Sequence, residues 1–109
     1  MAREAWEFEL DRLREDYGRE LPEKLSGLGA LLRAARQSRD PASLAAAHRE
    51  AHSLKGSSGS YGFKAASREL QAIEDALASL QQSGTTGPAD LWPALEEALD
   101  RARDAIPAA

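Results

Sequence analysis

Apolar residues recur at alternating spacings of three and four, and this periodicity is the feature that most limits the possible folds. It is clearest in one run of apolar positions: Phe63, Ala66, Leu70, Ile73, Leu77 and Leu80. Such spacing places the side chains on one face of an α-helix and is typical of the seam of a left-handed helical bundle. The apolar/polar alternation of half-buried strands is absent. We therefore predict an all-α protein.

Capping residues mark the helix that follows Asp40. Asp40 can accept hydrogen bonds from free N–H groups, and Pro41 stands in the first turn, where its missing N–H costs nothing. Gly59 is the expected left-handed residue at the end of this helix. Ser60 is a possible cap for the next helix.

The last helix follows a polar loop. Residues 83–90 are rich in Ser, Gly and Thr, which predicts a flexible connection, and Asp90 can cap the helix behind it. The apolar positions of that helix run from Leu91 to Ile106. Short connections favour antiparallel neighbours, so we predict an up-down-up-down four-helix bundle over about residues 19–106.

The N-terminal region continues the helical spacing but contains two interruptions. Trp6 and Tyr17 belong to a predicted short extra helix over about residues 4–17, and both are expected to pack in the core or as a lid. Gly18 and Pro22 then predict a break, because Pro22 cannot donate a backbone hydrogen bond. Since the apolar phase is preserved across them, a single kinked helix is the alternative.

Composition excludes several classes of function. The 109 residues suit one domain, 1–109, with a modest core. The net charge is −4 with both signs interspersed, which argues against nucleic-acid binding, and no cysteine is present for disulfides or thiolate metal sites. No apolar run is long enough to span a membrane, and no signal-peptide core is found. We expect a cytoplasmic monomer.

One histidine is predicted to face solvent. If residues 41–58 are helical, His52 lies about 120° from the centre of the small and apolar face. That face consists of Leu44, Ala47, Ala51, Leu54 and Ser58. Lys55 and Gly56 are the neighbours of His52 one turn on. An exposed imidazole between a cation and a missing side chain indicates a site that a large partner approaches.

Other motifs fail on spacing. His48 and His52 stand at i and i+4, but Arg49 follows His48 where a zinc protease requires glutamate, and no third ligand is in view. We predict no metal site and a half-buried His48. The glycines match neither nucleotide-binding loop, so no ATP site or kinase activity is expected.

The stretch from His52 to Gly62 resembles the signature of the histidine phosphotransfer (HPt) domain family. That family carries a histidine, two further residues, Lys-Gly, a run of small residues and a glycine that ends the loop. The matching positions are His52, Lys55, Gly56, Ser57, Ser58 and Gly62. Family members are four-helix bundles, so the resemblance extends to nearly the whole chain.

The resemblance implies a phosphorelay role. His52 would accept a phosphoryl group on Nε2 from a receiver-domain aspartate and pass it to another receiver. The partners would be response-regulator receivers, a hybrid histidine kinase, or both. Positioning and charge stabilisation would supply most of the catalysis. Mg²⁺ would belong to the receiver, and this chain would need no cofactor.

The same resemblance assigns roles around His52. Lys55 would stabilise the phosphoryl oxygens, while Gly56, Ser57 and Gly62 would form the docking surface. Glu74 is a weaker candidate near the imidazole, where it could orient the other ring nitrogen. A simple place on the helix surface is an equal alternative for Glu74.

Two alternative functions stay open at this point. One is the phosphoacceptor module of a chemotaxis-type histidine kinase, although Met1 and the short tail after Ile106 favour a free-standing protein. The other is a docking bundle that binds a receiver without being phosphorylated. The presence of His52 together with Lys55 argues against the second.

Overall fold

Four helices form the described part of the chain, which is residues 4–83 and 91–106 of a computed structural model. They are α1 (Ala5–Ser38), α2 (Pro41–Ser60), α3 (Lys64–Ser83) and α4 (Leu91–Asp104). The described residues contain no strand. The all-α prediction is therefore confirmed.

The helices pack in a closed ring. α1 packs on α2, α2 on α3 and α3 on α4, and α4 returns to α1. Ion pairs join opposite ends of neighbours: Arg36 late in α1 lies 2.9 Å from Glu96 early in α4, and Glu69 early in α3 lies 2.9 Å from Arg101 late in α4. Neighbouring helices are therefore antiparallel, and the α2–α3 face lies opposite the α1–α4 face.

The core lies along the bundle axis and consists of one apolar stripe from each helix. Its buried residues are Tyr17, Leu21, Leu25, Leu28, Leu32, Ala35, Leu44, Ala47, Ala51, Leu54, Ala66, Leu70, Ile73, Leu77, Leu80, Trp92, Leu95, Ala98, Leu99 and Ala102. Leucine and alanine dominate, which lets the helix axes approach closely. Within the described ranges two polar residues are also buried, Ser58 and Glu74. Both belong to the helices that carry the predicted site.

The predicted break between residues 18 and 22 is wrong, and so is the separate N-terminal helix. α1 is one continuous helix of 34 residues with Pro22 inside it. Pro22 is exposed, whereas Leu21 and Leu25 are completely buried. A proline inside a helix costs about 3 kcal/mol, and burying two leucines contributes about as much in the opposite direction. Tertiary packing thus holds the helix through the proline.

The prediction that Trp6 and Tyr17 both pack in the bundle holds for one of them. Tyr17 is buried, and its ring stacks on Tyr61 with the ring centroids 4.7 Å apart. Phe63 also packs on Tyr17, at 5.9 Å between centroids. Trp6 is instead 64% exposed, because α1 extends beyond the end of α2 and no other described element covers it. The bundle therefore closes at Tyr17.

The turn between α1 and α2 follows the predicted capping chemistry. Arg39 adopts a left-handed conformation with φ of 55°, and its N–H donates to the Ala35 carbonyl at 2.8 Å. The Asp40 carboxylate accepts from the Ser43 N–H at 2.7 Å, and this hydrogen bond lowers the pKa of Asp40 below its ordinary value. α2 therefore begins at Pro41, as predicted.

The turn between α2 and α3 differs from the prediction. α2 continues to Ser60, so Gly59 is helical and Ser60 does not cap α3. The left-handed residue is Gly62, with φ of 89°. A Cβ atom on Gly59 would lie 3.3 Å from the Ser67 hydroxyl oxygen, so glycine there permits the close approach of α2 and α3.

No helix in the described ranges is long and apolar enough to cross a bilayer. The predicted cap Asp90, and the predicted loop apart from Ser83, lie outside the described residues.

Candidate functional site

α2 presents His52 to solvent because the opposite face of the helix is buried. The buried residues of α2 are the predicted set: Leu44, Ala47, Ala51, Leu54 and Ser58. The His52 side chain is 65% exposed, and His48 is half-buried. The rotation argument therefore predicted the orientation of α2 correctly.

The serines after Gly56 are satisfied within the bundle. Ser58 is completely buried, and its hydroxyl shares a hydrogen bond of 3.1 Å with the Tyr17 hydroxyl. The Ser57 hydroxyl donates to the Ser53 carbonyl at 3.0 Å. Small side chains of this kind fill little space and leave no buried donor without a partner. The hydrogen bond between Ser58 and Tyr17 fixes the end of α2 against α1 beyond the histidine.

α3 places one carboxylate beneath the histidine. Glu74 is buried, and its Oε1 accepts a hydrogen bond from Nδ1 of His52. Its other oxygen, Oε2, lies 3.2 Å from Nζ of Lys55. Glu74 therefore joins His52 and Lys55, which are neighbours on α2, through a single carboxylate.

The electrostatics of this group favour an ionised Glu74. Burial alone raises the pKa of Glu74, but hydrogen bonds from His52 and Lys55, with the attraction of their charges, lower it further than burial raises it. The pKa of Glu74 therefore lies below its ordinary value. A carboxylate can only accept, so the Nδ1 atom of His52 must carry the proton. In a neutral imidazole this leaves the lone pair on Nε2.

Gly56 and Gly62 of the motif are both exposed. Gly56 is exposed, and a Cβ atom built on it meets nothing within 4 Å. Gly62 is exposed and needs its positive φ to turn the chain toward α3. The backbone of Lys55 is also bonded to α3, because the Ser67 hydroxyl donates to the Lys55 carbonyl at 3.0 Å. The surface beside His52 is thus flat at Gly56 and braced by α3.

A shallow depression opens on the other side of the imidazole. Its lining consists of His48, Arg49, His52 and Glu74. Sequence reasoning missed Arg49 as a site residue, although its position three before His52 places it one turn away on α2. Among the described residues, no three His, Asp or Glu side chains cluster as metal ligands. Arg49 adds a second cation beside the imidazole.

Comparison with known proteins assigns the chain to a family. A family model described as the Hpt domain matches residues 12–105, which include all four helices apart from the first turns of α1. The chain therefore belongs to the Hpt-domain family. Searches of curated proteins and of solved structures found no match.

Membership in the family gives the broad function. Hpt domains are phosphotransfer modules of two-component signalling, and they carry phosphoryl groups without being kinases. They interact with receiver domains and kinases in phosphorelays.

Proposed function

We propose that this protein accepts a phosphoryl group on Nε2 of His52 from the aspartyl phosphate of one receiver and delivers it to another. The observation that carries the proposal is the hydrogen bond between Nδ1 of His52 and the buried carboxylate of Glu74. It leaves the second ring nitrogen unprotonated on an exposed side chain. A nucleophile fixed in this way needs only a partner that supplies an activated phosphoryl group.

The transfer step balances without any group from outside the complex. The Nε2 lone pair attacks the phosphorus in line, and the bond from phosphorus to the aspartate oxygen breaks. The aspartate leaves as a carboxylate, and the imidazole ring gains positive charge. Glu74 stabilises that charge through Nδ1. Delivery is the reverse step, in which a carboxylate of the second receiver attacks the phosphohistidine.

Two cations lie where they can offset the charge of the phosphoryl oxygens. Nζ of Lys55 lies 3.2 Å from Glu74, and its flexible stem allows it to turn toward a phosphoryl group on Nε2. Arg49, one turn before His52 in α2, lines the shallow depression on the other side of the imidazole. A docked receiver excludes water, which strengthens both interactions.

The docking surface follows from what lies beside the histidine. Gly56 presents no side chain, and Ser57 and Gly62 continue the low surface toward the end of α2. A receiver loop can therefore approach Nε2 without requiring a side chain of this protein to move. The Mg²⁺ that phosphoryl transfer requires would be held by the receiver, so this protein would act without a cofactor of its own.

A transfer assay tests the proposal directly. A panel of receiver domains is phosphorylated with acetyl phosphate and Mg²⁺, purified and mixed with this protein. The expected product is an acid-labile, base-stable phosphate on this chain. His52→Gln should abolish the label, and His48→Gln is the matched control on the same helix. Chase with an unphosphorylated receiver should then remove the label.

Three results would contradict the proposal. One is the absence of label with every receiver of the panel, which would favour a bundle that binds receivers without accepting phosphate. Another is a label that survives in His52→Gln. The third is loss of the label in a folded His48→Gln variant.

A further inference from the structure

Three apolar side chains of α1 lie beyond the bundle, on one face of the helix. Trp6 is 64% exposed and Leu13 is 43% exposed, while Leu10 is partly exposed. At about 100° per residue they fall within about 60° of one another. We name Trp6, Leu10 and Leu13 the N-terminal stripe. A row of large apolar side chains exposed at helical spacing marks a surface that another helix covers.

The stripe continues the face that α1 buries in its own bundle. Tyr17 lies on the same face one turn after Leu13, and it is the first buried residue of the helix. Beyond it, the stripe extends for about three turns with no described element opposite. The surface it offers is the seam of a helix pair whose second helix is missing.

The charges beside the stripe identify the missing helix. Glu7 and Arg14 flank it on one side, each roughly 70–95° from its centre. When two identical helices pair antiparallel, the same flank of each copy faces the other. The residues along that flank then run in opposite directions in the two copies. With a two-fold axis between residues 10 and 11, Glu7 opposes Arg14 of the second copy, and by symmetry Arg14 opposes Glu7 of the second copy. We propose that a second copy of this chain binds antiparallel along the N-terminal stripe.

The remaining charges permit this arrangement. Asp11, Arg12 and Glu15 lie more than about 120° from the centre of the stripe and point away from a partner helix. Arg12 pairs with Glu9 at 2.9 Å within its own helix. Arg14 lies 3.6 Å from Asp11 of its own helix. Exposed pairs contribute little on their own, so rearranging them on association costs little.

The bundle itself favours the antiparallel direction. In this register the fourth residue of the second copy lies opposite Tyr17, so the pairing ends where the bundle begins. Each bundle then occupies its own end of the helix pair. A parallel pair would place both bundles side by side, although the molecule measures 22 × 18 Å across its shorter axes and packed helices lie about 8–10 Å apart.

This inference replaces the monomer predicted from the sequence. The sequence placed Trp6 in the core or in a lid, whereas the structure leaves it exposed. His52 lies on the α2–α3 face, about three helical turns along the bundle axis from Leu13, the nearest residue of the stripe. Association along the stripe therefore leaves the phosphoryl site open, and it is independent of the proposed function.

Sedimentation equilibrium of the full chain tests the inference. The average mass should rise from 11.8 kDa toward twice that value as the concentration approaches about 1 mM. Trp6→Ala should raise the dissociation constant about tenfold or more. Phe8→Ala is the matched control, because Phe8 is 58% exposed but lies on the opposite side of α1, and it should change the constant less than about twofold.

Charge exchange tests the register. Arg14→Glu should weaken association, since it opposes Glu7 of the second copy with a like charge. The double variant Glu7→Arg/Arg14→Glu should restore it to near the original value. A protein that stays monomeric up to about 1 mM would overturn the proposal. Equal weakening by Trp6→Ala and Phe8→Ala, or a double variant no better than Arg14→Glu, would overturn it too.

Discussion

Glu74 divides its carboxylate between two side chains of α2, with His52 on Oε1 and Lys55 on Oε2. The exposure of His52 could be predicted from helical rotation, because only the register within α2 was needed. The contact with Glu74 could not, since it depends on how α3 slides and rotates against α2. The family resemblance suggested that a polar residue lies near the imidazole. Only the packed structure shows that this residue is Glu74 and that its side chain is buried.

Removing the Lys55 ammonium should slow transfer without unfolding the protein. Lys55→Ala loses an ion pair whose lysine is 26% exposed, so the free energy of unfolding should fall by less than about 1 kcal/mol. The rate of phosphoryl transfer should fall about tenfold, which corresponds to about 1.4 kcal/mol in the barrier. Stopped-flow transfer from a labelled receiver measures it.

Two controls accompany the Lys55 measurement. Lys55→Arg keeps the charge and should retain more of the rate than Lys55→Ala. Raising the salt concentration should narrow the gap between wild type and Lys55→Ala. Equal rates for the three proteins would show that Lys55 has no part in transfer.

The lowered pKa of Glu74 predicts a pH-dependent contribution to stability. Because the folded protein holds this carboxyl below its ordinary value of 4.5, the unfolded chain binds the proton more readily. The contribution is therefore present above pH 4.5 and is lost as the pH falls through the folded pKa. Above that range wild type should be more stable than Glu74→Gln, and the difference should shrink in acid.

Urea unfolding of both proteins across the acid range measures this difference. Asp40 also has a lowered pKa, but it is common to both proteins and cancels in the comparison. A difference that stays constant with pH would mean that Glu74 does not titrate as described.

At the level of elements, local rules located α2 well and α1 poorly. Asp40 and Pro41 fixed the start of α2, since a cap and an N-terminal proline act through neighbouring atoms. The break predicted at Pro22 is wrong because the cost of a proline inside the helix is outweighed by the burial of Leu21 and Leu25. Gly59 misled because its role is to let α3 approach, which is a property of two helices and not of one.

Substitution of Gly56 in α2 should affect the docking of a receiver without lowering the stability of the fold. Gly56→Ala places a methyl group in open space, so the free energy of unfolding should hold or rise by up to about 1 kcal/mol through helix propensity. Transfer from a receiver should slow, because that methyl group stands one turn from His52. Gly27→Ala is the matched control: it is also helical, exposed and unobstructed, but it lies on α1.

Thermal unfolding and transfer rates of the two alanine variants decide the matter. Both should be at least as stable as wild type, and only Gly56→Ala should transfer slowly. Normal transfer by Gly56→Ala would mean that the receiver does not approach over this residue.

The whole molecule is longer than a compact domain of its size. Its radius of gyration is 15.6 Å, against about 13 Å expected for a compact chain of this length. The excess comes from α1, whose described residues before Tyr17 are all exposed or partly exposed. Periodicity alone could not reveal this, since the apolar phase is the same inside and outside the bundle. The extension is therefore separable from the fold.

Removing residues 1–15 should leave the bundle intact. No buried side chain among the described residues is lost, so the free energy of unfolding of the dilute protein should change by less than about 1 kcal/mol. Leu21→Ala should instead cost about 2–5 kcal/mol, because that residue is completely buried. Denaturant unfolding compares them. A truncated protein as unstable as Leu21→Ala would place the N-terminal turns within the cooperative core.

The atom that carries the phosphoryl group is the central claim. After transfer from a phosphorylated receiver, ¹H–¹⁵N and ³¹P NMR of the imidazole ring can read the attachment site directly. We expect the phosphoryl group on Nε2 of His52, with the proton on Nδ1 held by Glu74 as in the unphosphorylated protein. Attachment at Nδ1, or at any residue other than His52, would contradict the account.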